Sequence, residues 1–200
     1  MNYRRFKILI VTIALVSCQE APVKTTQVLD EPAQAIDLNG YGQEITTLAQ
    51  AELFANVKRA MEQGGPAYTI EYCNIHATPL TDSISGQFKV SIQRLSLKNR
   101  NPENSPKSKE DKLLLNHYLE SLNEGLSVKD TLVKFGDKTF YYRPIMIAME
   151  TCLKCHGQPG VDINNETMAT LYRIYPKDKA INYRLGEFRG VWKVTFSEME

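Results

Sequence analysis

Cys152-Leu153-Lys154-Cys155-His156 constrains this chain more than any other segment. It is a C-x-x-C-H run, the attachment pattern of a c-type haem. Two thiols can add across the two haem vinyl groups as thioethers. Two intervening residues let one short turn present both sulfurs to one porphyrin edge. The histidine that follows falls beneath the ring, where its imidazole can bind iron as the proximal ligand. At ordinary residue usage such a run arises by chance in roughly one chain in a thousand of this length. The expected cofactor is one covalent haem c per chain, with a second axial ligand or an open position on its far side.

Three other uses of C-x-x-C compete. A zinc site normally needs a second ligand pair, and only Cys73 and the two other histidines, His76 and His117, remain as candidates. A thioredoxin-like redox pair sits at a helix start after a strand in a βαβ pattern, which is not visible. A structural disulfide is the third.

The N-terminus bears on the choice. Arg4, Arg5 and Lys7 precede an apolar stretch, Ile8 to Val16, that is too short to span a bilayer. Leu15-Val16-Ser17-Cys18 resembles the lipobox of bacterial lipoproteins. Residues 1–17 read as an export leader, Cys18 as the lipidated residue, and 18–39, with Pro22 and Pro32, as a tether. Several acyl chains, at ~0.8 kcal/mol per buried CH₂, hold a protein on a membrane where one does not. Bacterial c-type haem is attached after export, so the leader and the haem motif support each other. The expected location is the bacterial cell envelope, facing the periplasm or the exterior. Loss of the leader removes three bases and no acid, turning the net charge from +1 to −2. With no basic tract, nucleic acid is not an expected partner.

The chain has four cysteines. Lipid accounts for Cys18 and haem for Cys152 and Cys155. That leaves Cys73 as an unexplained thiol in an oxidising compartment.

Residues 40–200 fit one domain of ordinary size. Ile45, Leu48, Ala49, Leu53, Val57, Ala60 and Met61 recur at helical spacing and predict a helix from Gly40 to Gln63, ended by Gly64-Gly65-Pro66. Residues 67–85 are ambiguous. Lys89 to Leu97 reads as a strand, Asn99 to Pro106 as a loop, and Lys107 to Glu124 as a second helix. Leu132 to Phe135, Gly136-Asp137-Lys138 and Thr139 to Ile145 read as a hairpin. A short helix carries Met149 and the haem motif, 157–170 reads as loop, and Gly190 to Phe196 as the last strand. The class is α+β with an antiparallel sheet flanked by helices. An ordinary small cytochrome c, all-helical with its motif near the start, does not fit.

Candidates for the sixth ligand are Cys73, His76, His117 and several methionines. His117 lies in an amphipathic helix and suits the surface. From the residues alone, Cys73 is equally a ligand or a buried inert thiol.

Several segments carry a family resemblance. They are Tyr72-Cys73-Asn74, the run Arg94-Leu95-Ser96-Leu97-Lys98-Asn99-Arg100-Asn101-Pro102-Glu103-Asn104, Tyr142-Arg143-Pro144-Ile145 ahead of the haem motif, and Tyr175-Pro176-Lys177-Asp178-Lys179-Ala180 followed by Tyr183, Gly186 and Arg189-Gly190. In order and spacing they resemble the small exported c-type haem domains long filed as a domain of unknown function, from about residue 40 to residue 198. The resemblance implies a PAS-like fold, thioether bonds at Cys152 and Cys155, and His156 and Cys73 as axial ligands. Trp192 departs from it, standing where the family usually has a smaller residue. For the haem propionates Arg100 or Arg143 is a candidate, with Arg143 preferred. Asn101 and Asn104 read as loop builders.

The expected function is a membrane-tethered monohaem protein, not an enzyme, that senses redox state or a small gas and reports to a separate protein partner. The alternative is an electron carrier. An enzyme would need an acid–base group near an open iron, and His76 is the candidate.

Overall fold

The computed structural model describes residues 37–196. The expected leader, Cys18 and the tether up to residue 36 lie outside them. Among the described residues no helix is long and apolar enough to cross a membrane.

Helix α1 (Leu38–Phe88) begins at Asp37, whose carboxylate accepts hydrogen bonds from the Asn39 and Gly40 amides. Those bonds cover two donors that a first helical turn leaves bare. The sequence pattern ends this helix at Gly64-Gly65-Pro66. The structure instead breaks it there and resumes it at once. Gly64 (φ −153°, ψ 16°) and Gly65 (φ 68°, ψ −167°) leave helical geometry, and the latter φ carries little steric penalty only without a Cβ. Pro66 then suits the first turn of the next segment, so residues 67–85 are helical. The break is a sharp turn. Tyr72 Oη donates to Asn56 Oδ1 at 2.9 Å across 16 positions, which a straight helix would hold about 24 Å apart.

Four strands form one antiparallel sheet: β1 (Ser91–Leu95), β2 (Thr131–Phe135), β3 (Lys138–Met146) and β4 (Phe188–Phe196). Their order is β1-β4-β3-β2, so the last strand lies in the sheet interior. That position explains the near-continuous apolar run Val191, Trp192, Val194, Phe196, since a central strand is covered on both faces. β1 is shorter than the expected 89–97, because Lys89 caps α1 in the left-handed region (φ 53°) and Ser96 leaves the ladder to donate to the Arg189 carbonyl.

Each face has its own helix. Ile45, Ala49 and Ile84 of α1 cover Ile92, Tyr141, Trp192, Val194 and Phe196. Gly42 permits the close approach, since a Cβ there would stand 2.4 Å from the Tyr141 ring. On the other face Leu115 and Tyr118 of α2 (Lys109–Asn123) cover Leu95, Tyr142, Phe188 and Val191. Lys193 projects onto this α2 face. Its Nζ lies 2.8 Å from Asp111 Oδ1, and Tyr142 Oη donates to the same oxygen at 2.8 Å.

Two short helices follow β3: α3 (Glu150–His156) and α4 (Asn165–Ile174). The second corrects the expected 157–170 loop. Its polar opening residues are a cap, Asn164 Oδ1 accepting from the Thr167 amide. Met168 and Leu171 then pack on Ile163 and on Ile70 of α1. The whole is the single α+β, PAS-like domain that the resemblance implies.

Candidate functional site

Helix α3 determines how the C-x-x-C-H run is displayed. Cys152 and Cys155 are three residues apart and His156 is four from Cys152, so all three share one side of the helix. The chain then turns away sharply. Gly157 closes α3 by donating to the Leu153 carbonyl at 2.8 Å. A Cβ on Gly157 would stand 2.5 Å from the Asp162 side chain, which accepts from the Gln158 amide. The imidazole is held from behind: His156 Nδ1 is 2.8 Å from the Ala180 carbonyl. That carbonyl can only accept, so Nδ1 carries the proton and Nε2 is free to bind a metal. Tyr183 stands edge-on to the ring at 6.2 Å.

Cys73 reaches the same place from the second half of α1. Cys73, Cys152, Cys155 and His156 line one cavity of about 720 Å³. Its walls are largely apolar, with Leu53, Val57 and Met61 from the first half of α1, Ile145 from the end of β3 and Ile147 just beyond it. Cavities of this size hold drug-sized molecules and cofactors. Two thiols on one helix face, an adjacent imidazole with a free nitrogen, a third thiol from another element and apolar walls fit the group that a C-x-x-C-H run attaches. The three described cysteines are free thiols. No group of three or more His, Cys, Asp or Glu converges as a metal cage among the described residues.

Burial governs the protonation states. It pushes the Cys155 thiol up to about 11, against the Arg100 charge. It raises Cys73 as well, with Arg94 and Arg100 opposing. It holds His156 well below its usual range, and the Arg100 and Arg189 charges add to the effect. His156 is therefore a neutral imidazole at pH 7, the form that binds metals. The Cys73 thiol keeps its proton until a metal displaces it.

Three guanidiniums stand on the wall: Arg94, Arg100 and Arg189. Arg100 is a structural tie. Its Nε pairs with Asp178 at 3.0 Å, and its Nη2 donates to the carbonyls of Cys155 and Ala180. It thereby fixes the last turn of α3 against the segment that orients His156. The preferred propionate candidate, Arg143, is corrected: it does not line the cavity. β3 carries it opposite Trp192, beside the first half of α1, where it donates to Thr46 Oγ1, Thr47 Oγ1 and the Gln43 carbonyl. His76 is exposed, stacks on Tyr72 with ring centroids 4.2 Å apart, and does not line the cavity either. His117 is exposed, as its helix pattern suggests. Asn101 builds the loop, its side chain accepting from the Glu103 amide. Arg94 and Arg189 are the cavity residues that the sequence reading passed over. Both stand inside the segments that carry the family resemblance, but nothing local distinguishes them from other arginines.

Comparison with known proteins follows this geometry. A family model described as Tll0287-like matches residues 21–197. Among solved structures the chain resembles one described as the crystal structure of the cyanobacterial heme-protein Tll0287, with a TM-score of 0.60 and 22% identity, over 82% of this chain and 99% of that chain. At that identity the likeness shows a shared fold. Comparison with curated proteins gave no match. This chain belongs to the Tll0287-like family.

Proposed function

We propose that this protein is an exported haem-binding protein, with one haem attached through Cys152 and Cys155 and iron held by His156 and Cys73. We further propose that it acts as a redox or small-gas sensor rather than an enzyme. One observation carries the reading: four residues from two separate helices, Cys73, Cys152, Cys155 and His156, meet in one largely apolar cavity. The solved structure of similar fold is described as a heme-protein, which supports the same cofactor here. When bound, haem supplies a one-electron couple and an iron able to exchange a ligand.

The chain supplies the rest. Ala180 holds the proton on His156 Nδ1 and thereby orients Nε2. Burial holds Cys73 Sγ as the thiol, while the Arg94 and Arg100 charges partly oppose it. With haem bound, Cys73 would be favoured as the thiolate against ferric iron and less so against ferrous iron. Return of a proton to Cys73 Sγ would remove one tether from the second half of α1, which joins the first through the Gly64-Gly65 turn. Such release couples an electron to a movement, the requirement for a switch. His76, the acid–base candidate of an enzyme reading, is exposed and does not line the cavity. Anchoring through Cys18 and a signal to a separate protein belong to the same proposal, motivated by the lipobox-like segment before Cys18.

The test is the optical spectrum of the exported protein, ferric and ferrous, with and without CO, beside Cys73→Ala. A thiolate-type ferric spectrum that the variant loses, with CO binding after reduction, is the expected result. Unchanged ligation in both states and no CO binding would make it an electron carrier. A polypeptide mass without covalent haem would overturn the reading. Membrane anchoring is tested separately, by movement of a Cys18→Ala variant to the soluble fraction.

A further inference from the structure

The three guanidiniums on the cavity wall differ in what they touch. Arg100 is engaged by Asp178 and two carbonyls. Arg189 donates to Ser96 Oγ at 2.8 Å and to the Lys98 carbonyl at 3.2 Å. Arg94 makes no side-chain hydrogen bond to any described residue, although five donors are available to it. A partly buried guanidinium without an acceptor, facing an apolar cavity, is costly unless an anion completes it.

Arg94 is also held in place. It sits directly across from Trp192 in the β1–β4 ladder, with its Cζ 5.7 Å from the indole centroid, within cation–π range. Trp192 is itself fixed, fully buried, with Nε1 donating to Gln50 Oε1 of α1. The tryptophan that departs from the family pattern is thus the platform on which this arginine lies. Charge points the same way. Among the cavity guanidiniums, only Arg100 is paired with a carboxylate. Burial pulls Arg94 below its ordinary value, the cost expected of a charge lacking a counter-charge. Cys73 is near enough to feel the Arg94 charge, yet no hydrogen bond joins them.

We propose that Arg94, stacked on Trp192, is the carboxylate-binding residue of the cavity and takes one of the haem propionates. This inference rests on the haem reading. The planar fork of a guanidinium matches a carboxylate with two parallel hydrogen bonds. Arg94 therefore positions the cofactor edge away from the two thioether cysteines, and its charge opposes the positive charge of ferric iron. It replaces Arg143, which the fold commits to α1.

The test uses the exported protein and three readings: polypeptide mass, the propionate bending band in the resonance Raman spectrum, and the reduction potential. Arg94→Gln should retain the mass of covalent haem and the native ferric ligation, shift the propionate band, and lower the potential. Arg94→Lys should also shift the band, because the fork is lost, but hold the potential closer to native, because the charge is kept. Trp192→Leu, with Arg94 intact but without its platform, should move the band in the same direction by less. An unmoved band in both Arg94 variants, with haem attached, sinks the proposal. Loss of the thiolate signature in Arg94→Gln with the band unmoved sinks it too, assigning Arg94 to Cys73 instead. Absence of covalent haem from the native chain is a different failure, visible in the mass alone, and removes the reading beneath it.

Discussion

The two faces of the sheet bury charge in opposite ways. On the α2 face, Lys193 and Asp111 form an ion pair with side chains only 10% and 4% exposed. Tyr142 completes it, and Lys193 Nζ also lies 4.6 Å from the Phe140 ring centroid. Both of these charges have a partner within the chain. On the α1 face, Arg94 stacks on Trp192 and opens to the cavity with no acceptor among the described residues. The first arrangement is complete as folded and serves the architecture. The second is complete only with something bound. Counting partners, rather than locating charges, separates the site from the scaffold.

The largest expected effect breaks the α2 side. Lys193→Met leaves the Asp111 carboxylate buried without its cation, and removal of one member of a buried pair costs roughly 3–5 kcal/mol. Denaturant unfolding should show that loss. The double variant Lys193→Met/Asp111→Leu should recover most of it, since apolar replacement of both partners is often neutral. A loss below about 1 kcal/mol for the single variant would put the pair on a par with surface pairs and dissolve the contrast between the faces.

Gly42→Ala tests the packing of the α1 face. The added Cβ meets the Tyr141 ring, and overpacking of this kind costs about 1–3 kcal/mol. The same unfolding experiment reads it. If α1 shifts to accommodate the methyl group, the cavity that it roofs should change too, visible as an altered ferric spectrum.

Acid sharpens the comparison. Burial raises the Asp111 carboxyl, but hydrogen bonds from Lys193 and Tyr142 and the Lys193 charge outweigh it and hold the group below the usual carboxylate range. A group with a depressed folded pKa adds stability above its unfolded value of about 3.9, and that stability fades as pH falls through the lower folded value. The stability gap between the native chain and Asp111→Asn should therefore be widest near neutrality and narrow below about pH 4. A gap independent of pH would mean that folding leaves the Asp111 carboxyl unshifted. The smallest effect is expected for Arg94→Gln, within about 1 kcal/mol, because no protein acceptor is left bare. Its consequences belong to the haem potential, not to unfolding.

Much of the fold was legible because its signals are local. The hairpin β2–β3 followed from turn residues between apolar runs, and α2 from its apolar spacing. Residues 67–85 and α4 were not legible. Pro66 resumes a helix only because Gly64 and Gly65 turn the chain first, and α4 buries only a few apolar side chains within ten residues. At the site, Cys152, Cys155 and His156 were plain from spacing, and Cys73 entered through bookkeeping and family resemblance. Arg94 and Arg143 carry the same side chain, and both face Trp192, from opposite sides of β4. Nothing in the sequence says that one reaches threonines of α1 and the other an apolar cavity.

The sequence by itself determined the chemistry that contiguous residues can express: two thiols and an imidazole at a spacing matched to one porphyrin edge, on a helix short enough to face them one way. Only the tertiary structure decided which distant residues share that space. It brought Cys73 to the cavity through the turn in α1, moved Arg143 out of contention, and left Arg94 without an acceptor. The physical reason is that bonding chemistry depends on neighbours along the chain, whereas desolvation and charge compensation depend on what the fold packs around each group.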